Sequence, residues 1–186
     1  MLLNTMRLPG FLTISIGLLQ SLPMGAWEPG PDEPTAVDGL SVDTTERADV
    51  ISFWHCIYKA SEGFESRINW TGNVATFDGG TTSTAFKDDV RRRVNFFRAM
   101  SGLPGDITFN TLKNTQAQAA ALIMSEQNGL SHFPKSEWGL SGPPNDSWTA
   151  AGQTGAETGN IAIGNFGPDA INGYIEDSGG WGSSAS

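Results

Sequence analysis

With Cys56 as its only cysteine, the chain cannot form an internal disulfide, so a small disulfide-stapled scaffold is excluded and burial must hold the fold. As a nucleophile Cys56 would need a base. His55 is adjacent in sequence, but neighbouring side chains on a helix diverge, so Cys56 reads as a small buried hydrophobe. Basic residues are also scarce: 11 Lys and Arg stand against 20 Asp and Glu, and the net charge of -9 repels phosphate backbones and anionic membrane surfaces. Nucleic acid is therefore not expected as a partner. The one basic run, Arg91-Arg92-Arg93, would point in directions about 100° apart on a helix. It predicts two solvated side chains and one internal anchor.

Long apolar runs are missing too. The stretch 8–22 follows Arg7 and is interrupted by Pro9, Gly17 and Gln20, which leaves it short of the roughly 20 apolar residues of a transmembrane span. Gly25 and Ala26 then precede an acidic, proline-rich start. Together these features predict a secretory signal peptide over 1–26 and a secreted or cell-envelope, extracellular destination, with no transmembrane span. Residues 27–45, rich in Pro, Asp, Gly and Thr, are expected to be a disordered linker. The remainder, 46–186, suits one domain.

What is present is mostly helical periodicity. Val50, Phe53, Trp54, Ile57 and Tyr58 recur at spacings of three and four, which predicts a helix from Thr45 to near Gly63. The glycine- and threonine-rich stretch 70–84 breaks that period and reads as a loop. A second helix starts at Ser83 or Thr84, where a hydroxyl can cap orphan amides, and carries Phe86, Val90, Val94 and Phe97 in one stripe. Gly102, Leu103 and Pro104 stop it. A third runs from about Asn110, with Leu112, Gln116, Ala119, Ala120, Ile123 and Met124 on one side, to the stop Asn128-Gly129. Beyond Pro134 the chain is rich in Gly, Ser, Pro and Trp as far as 160–163, a short apolar stretch that suits a strand or an irregular buried turn. A last helix fits 168–177, with Pro168 at its first position.

No phosphate-binding glycine loop, His-Glu-x-x-His pair, paired CxxC or GxSxG elbow is present, so no enzyme activity is expected from signature motifs. The side chains left for chemistry are His132, just past the third helix in Leu130-Ser131-His132-Phe133-Pro134, and the acids Glu157, Glu176 and Asp177. A single histidine beside Phe and Pro more often packs through a hydrogen bond than binds a ligand.

Four segments, in order, resemble the CAP superfamily, the cysteine-rich secretory, antigen 5 and pathogenesis-related 1 proteins. They are Arg93-Val94-Asn95-Phe96-Phe97-Arg98-Ala99-Met100-Ser101-Gly102-Leu103-Pro104, then Ala117-Gln118-Ala119-Ala120-Ala121 leading to Leu130-Ser131-His132. Asn160-Ile161-Ala162 follows, and last Ala170-Ile171 with Tyr174 and Asp177. Trp70-Thr71-Gly72-Asn73 is similar to a segment of bacterial members. The resemblance implies an α+β fold, a three-layer α-β-α sandwich of which the helical first part is present and the later strands are missing. It implies ligand-binding roles for His132 and Asp177, with Glu157 as a displaced substitute because Gly159 stands where an acid is expected. The family's second site histidine has no counterpart after Asp177, so a divalent metal such as zinc would rest on His132 with an incomplete set of ligands. By the same resemblance the expected function is a non-catalytic module binding a sterol, fatty acid or other small ligand, or a partner. The alternatives are a metal-assisted hydrolase with an incomplete His/acid site and an inactive fragment.

Overall fold

The computed structural model describes residues 36–176. The expected signal peptide 1–26 and Asp177 lie outside the described residues. Six α-helices follow in order: α1 Arg47–Phe53, α2 Thr84–Met100, α3 Thr111–Gln127, α4 Pro134–Trp138, α5 Ala150–Thr158 and α6 Pro168–Glu176. The α1 helix continues through a wider π turn, Trp54–Tyr58, and a tight turn, Lys59–Ser61, so the first helix predicted from sequence exists but changes pitch. Gly63, at φ 67°, ends it.

The long helices begin and end where their caps dictate. Ser83 accepts from the Phe86 amide at 3.0 Å, and Asn110 accepts from the Lys113 amide at 3.0 Å. Gly102 at φ 71° and Asn128 at φ 49° supply the left-handed residues that stop α2 and α3.

The sandwich expectation is corrected. Among the described residues there is no sheet; β-pairing is confined to two isolated antiparallel bridges, Leu40 with Gly105 and Asn73 with Asp78. The α+β class therefore gives way to a helical one. The cause is visible at the extended segments. After α2, Ile107 has both its amide and its carbonyl engaged by the Asn95 side chain, at 2.9 and 3.1 Å, so it has no free ladder to offer a strand. Residues 160–163, the segment expected as a strand or buried turn, lie next to no strand among the described residues.

Around α2 the contacts are aromatic and ionic. Phe53 stacks on Phe96 with centroids 5.2 Å apart, Tyr58 meets Phe96 edge-on, and Leu40, Ile57, Phe96 and Ala99 form a buried cluster. Part of the expected linker belongs to this cluster: the Leu40 amide donates to the Gly105 carbonyl at 2.9 Å, and the Asn95 side chain donates to the Val37 carbonyl at 2.8 Å. The arginine run also departs from expectation, since both Arg92 and Arg93 are buried. Arg92 pairs with Asp89 at 2.8 Å, and Asp89 also holds Arg67 at 2.7 Å. Arg93 lies 3.8 Å from the centroid of the Tyr58 ring and donates to Ser61 and, at 2.8 Å, to Asn172 of α6. Its contacts tie α6 to α2.

Around α3 the principle is close approach. The α4 and α5 helices fall in the Gly-, Ser- and Pro-rich stretch where no helix was expected. The α5 helix is made possible by its glycines: a Cβ on Gly152 would sit 2.5 Å from Ile123 Cδ1, and one on Gly155 would sit 2.2 Å from the Gln116 carbonyl oxygen. Ala156 and Ile123 are fully buried at this contact. Helix propensity alone favours alanine over glycine by about 1 kcal/mol, yet overpacking costs about 1–3 kcal/mol. Backbone at 2.2 Å cannot yield cheaply, so Gly155→Ala is expected to be destabilising, by about 1–2 kcal/mol net. Urea unfolding followed by circular dichroism checks this, and a stabilised variant would show that α5 does not lie on α3 as described.

Candidate functional site

The described residues enclose a cleft of about 1300 Å³. One wall is α3, where Ala119 and Ala120, with Gly155 of α5, reach the lining and the face turned away from α5 carries Asn114, Ala117, Gln118, Ala121, Ser125 and Asn128. The spacing of three and four that places these residues together is the same helical geometry that turns Gln116, Ala119, Ala120 and Ile123 toward α5. The opposite wall consists of Phe86 and Lys87 of α2, Ala170 and Tyr174 of α6, and the non-helical residues 160–167.

Each end of the cleft is built by hydrogen bonds from a loop. At one end, residues 70–82 fold back on themselves: the Thr71 amide donates to the Thr81 carbonyl, and Asn73 and Asp78 exchange two backbone bonds at 2.8 and 2.9 Å. Gly80, at φ 56°, is required because a Cβ there would lie 2.1 Å from the Gly72 nitrogen. The loop is fastened to α3 at Gly79, whose carbonyl accepts from Gln118 Nε2 at 2.8 Å and from Trp70 Nε1 at 2.9 Å. At the other end, the Asp146 carboxylate accepts from the amides of Ser141, Gly142 and Trp148 at 2.8, 2.8 and 2.9 Å. Glu126 of α3 accepts from the Ser147 amide at 2.9 Å. Pro143, Ser147 and Thr149 of that loop face the cleft.

Charge is nearly excluded from the lining. Among the described residues no acidic side chain lines the cleft, and the one charged side chain in its lining is Lys87, whose Nζ lies 3.1 Å from Thr81 Oγ1. Burial raises the pKa of the Tyr174 phenol, so that side chain stays a neutral hydrogen-bonding group across the ordinary pH range.

The residues proposed from sequence lie elsewhere. His132 is exposed and its Nδ1 donates to the Ala156 carbonyl of α5 at 2.6 Å. Glu157 is the next residue along α5, and its carboxylate accepts from Gln153 Nε2 at 2.7 Å. The structure thus brings His132 and Glu157 to the same helix end. Neither lines the cleft. Asp177, the third proposed ligand, lies outside the described residues, while Glu176 closes α6 and is exposed. Among the described residues no group of three or more His, Cys, Asp or Glu side chains converges to hold a metal ion, so a zinc site at His132 finds no supporting ligands there.

Sequence reasoning missed Gln118, Ala121, Lys87 and the two end loops. A signal was present for the first two: small and polar residues recur at helical spacing opposite the face that packs. Compared with protein-family models, with curated proteins and with solved structures, the chain matches none.

The Asp146 anchor gives the cleft a pH dependence of defined sign. Three backbone amides and the Ser141 hydroxyl favour its ionised form, led by the Ser141 amide, so its pKa in the folded chain lies below the ordinary carboxylate value. A group with a depressed folded pKa stabilises fully above its unfolded pKa of about 3.9 and loses that contribution as pH falls through the folded value. Asp146→Asn is therefore expected to be less stable than the parent at pH 7. Chemical unfolding of both proteins from pH 7 downward should show the gap closing below about pH 4; a gap constant over that range would remove the role assigned to this carboxylate.

Proposed function

We propose that the protein is an exported, non-catalytic binding module and that the cleft beside α3 is its working surface. The observation that carries this reading is the lining: in a chain of net charge -9, no carboxylate among the described residues lines this one large, mostly apolar concavity. A lining without a described carboxylate leaves a surface that accepts apolar, uncharged or singly anionic guests. Cations meet Lys87 and no counter-charge. Membership of the CAP superfamily belongs to the same proposal, supported by the order of the four segments and by the export signal read at the N-terminus.

Metal-assisted hydrolysis gains no support from the geometry. His132 donates to a backbone carbonyl, and its neighbour Glu157 is engaged by Gln153. The histidine bond fastens the turn after α3 to the end of α5.

Binding is tested with the anionic, apolar fluorophore 1-anilinonaphthalene-8-sulfonate. The probe is expected to bind the folded protein saturably. Ala121 is exposed toward the cleft, so Ala121→Trp fills the space without invading the α3–α5 contact. It should weaken probe binding by about tenfold, corresponding to about 1.4 kcal/mol, while near-ultraviolet circular dichroism confirms an intact fold. Non-saturable fluorescence, or equal binding by parent and variant, would overturn the reading.

A further inference from the structure

Three non-glycine residues among those described hold a left-handed backbone: Asn69 at φ 44°, Asn128 at φ 49° and Phe77 at φ 57°. Asparagine tolerates that region because its short side chain can bond locally, whereas the Cβ of a bulky residue is crowded there by its own carbonyl. Phe77 is thus the outlier. Its conformation is imposed by the turn that it closes. Asn73 and Asp78 exchange two backbone bonds at 2.8 and 2.9 Å, so the residues between them must reverse the chain. Val74–Thr76 begins that reversal as one tight helical turn, with the Asn73 side chain accepting from the Ala75 amide at 2.9 Å. The last position then falls in the left-handed region, where the Phe77 amide donates to the Val74 carbonyl at 3.1 Å. Glycine or asparagine would complete the same turn without the crowding. Backbone strain of this kind is characteristic of functional sites, where the side chain serves something other than local stability.

The position of Phe77 supplies that something. It is half-buried and lines the cleft. Two residues further on, the Gly79 carbonyl is held by Gln118 and Trp70 at 2.8 and 2.9 Å, so the turn that carries Phe77 is fastened to α3. Resting on the reading of the cleft as a binding surface, we infer that Phe77 is a guest-contacting residue of that surface, an aromatic anchor for the apolar part of the guest. An aromatic side chain offers a large apolar area for two rotatable bonds, and a backbone already fixed by its turn gives up little further freedom on contact. A residue kept for packing and a residue kept for contact differ in sign when replaced. Removing the first destabilises the fold through the cavity it leaves. Removing the second, at a strained position, leaves the fold as stable or more stable while binding falls.

The test measures urea unfolding and binding of the anilinonaphthalene probe side by side, on the full chain and on three variants of Phe77. Phe77→Asn relieves the crowding without adding the unfolded-state freedom of glycine. It is expected to unfold at the same or a higher urea concentration than the parent and to bind the probe about fivefold more weakly. Phe77→Gly, which also suits the turn, should weaken the probe to the same extent. Phe77→Tyr keeps the ring and should bind as the parent does. A lower unfolding midpoint in Phe77→Asn assigns the ring to packing and overturns the inference. So does parent-like binding by Phe77→Asn or Phe77→Gly, or weakened binding by Phe77→Tyr. The two readings fail separately. If the parent does not bind the probe, or Ala121→Trp binds it equally well, the cleft falls and Phe77 with it; if Ala121→Trp weakens binding and Phe77→Asn does not, the cleft stands and Phe77 is no part of its contact surface.

Discussion

The cleft depends on α3 packing closely against α5 on one face, while its opposite face is met by the 70–82 loop at Gln118. The two glycines of α5 let that helix approach so closely that Gly155 lies on the backbone at Gln116 and Gly152 on Ile123, and this contact takes up the α3 face carrying Ala119, Ala120 and Ile123. A helix packed so tightly on one face is oriented by that contact, and its opposite face is then fixed in space whether or not anything covers it. Asn114, Gln118, Ala121, Ser125 and Asn128 occupy the opposite face by helical geometry alone. Shape complementarity at α5 thus determines what the cleft displays, although no residue of the binding face takes part in the core contact between Ile123 and Ala156.

The wall across from α3 is held by a different kind of interaction. Arg93 and Asn95 are buried polar side chains of α2, and their value is directional. Asn95 satisfies both ends of its amide on Ile107 and Val37, while Arg93 reaches Ser61, Asn172 and the face of Tyr58. Burial pulls the pKa of the Arg93 guanidinium below its ordinary value, though the acids at Glu62, Asp169 and Asp89 and the Tyr58 phenol favour its charged form. Desolvating a guanidinium beside neutral partners costs free energy that apolar packing would not, so its contribution is to specify where α6 lies more than to stabilise it. One wall is placed by packing, the other by hydrogen bonds with defined angles.

This division explains what was legible in the sequence. Helices bounded by local chemistry could be read: Ser83 and Asn110 cap α2 and α3, Gly102 and Asn128 stop them, and Pro168 opens α6. Features decided by contacts across the fold could not. The α5 helix carries two glycines in nine residues, which argues against a helix until α3 is placed against it. Leu40 lies in a stretch whose composition suits a linker, and only the bridge to Gly105 shows it packed. Arg92 and Arg93 are buried together because Asp89 and Asn172 come from opposite directions to meet them. The expected sandwich failed for the same reason, since a strand needs a second strand and the described residues supply none. At the site, His132 was legible as an ordered residue and illegible in its role, because its partner is a backbone carbonyl that sequence does not mark.

The distribution of charge bears on how any guest arrives. A net charge of -9 acts at long range, but at physiological ionic strength its reach is limited to a Debye length of about 8 Å. Lys87 acts within that distance and only inside the cleft. An anionic guest is therefore opposed by the surface as a whole and favoured at the last step, while a cationic guest is drawn toward the surface and finds no acid in the cleft to receive it. Steering of this kind separates partners by where their charge lies and not by its total. A guest with one acidic group on an apolar body crosses the outer field at little cost and keeps its gain for contact with Lys87. Since long-range attraction adds nothing to its arrival, association should proceed at an unassisted rate of about 10⁵–10⁶ M⁻¹s⁻¹. Affinity must then come from slow departure, the regime in which a closely lined cleft matters most.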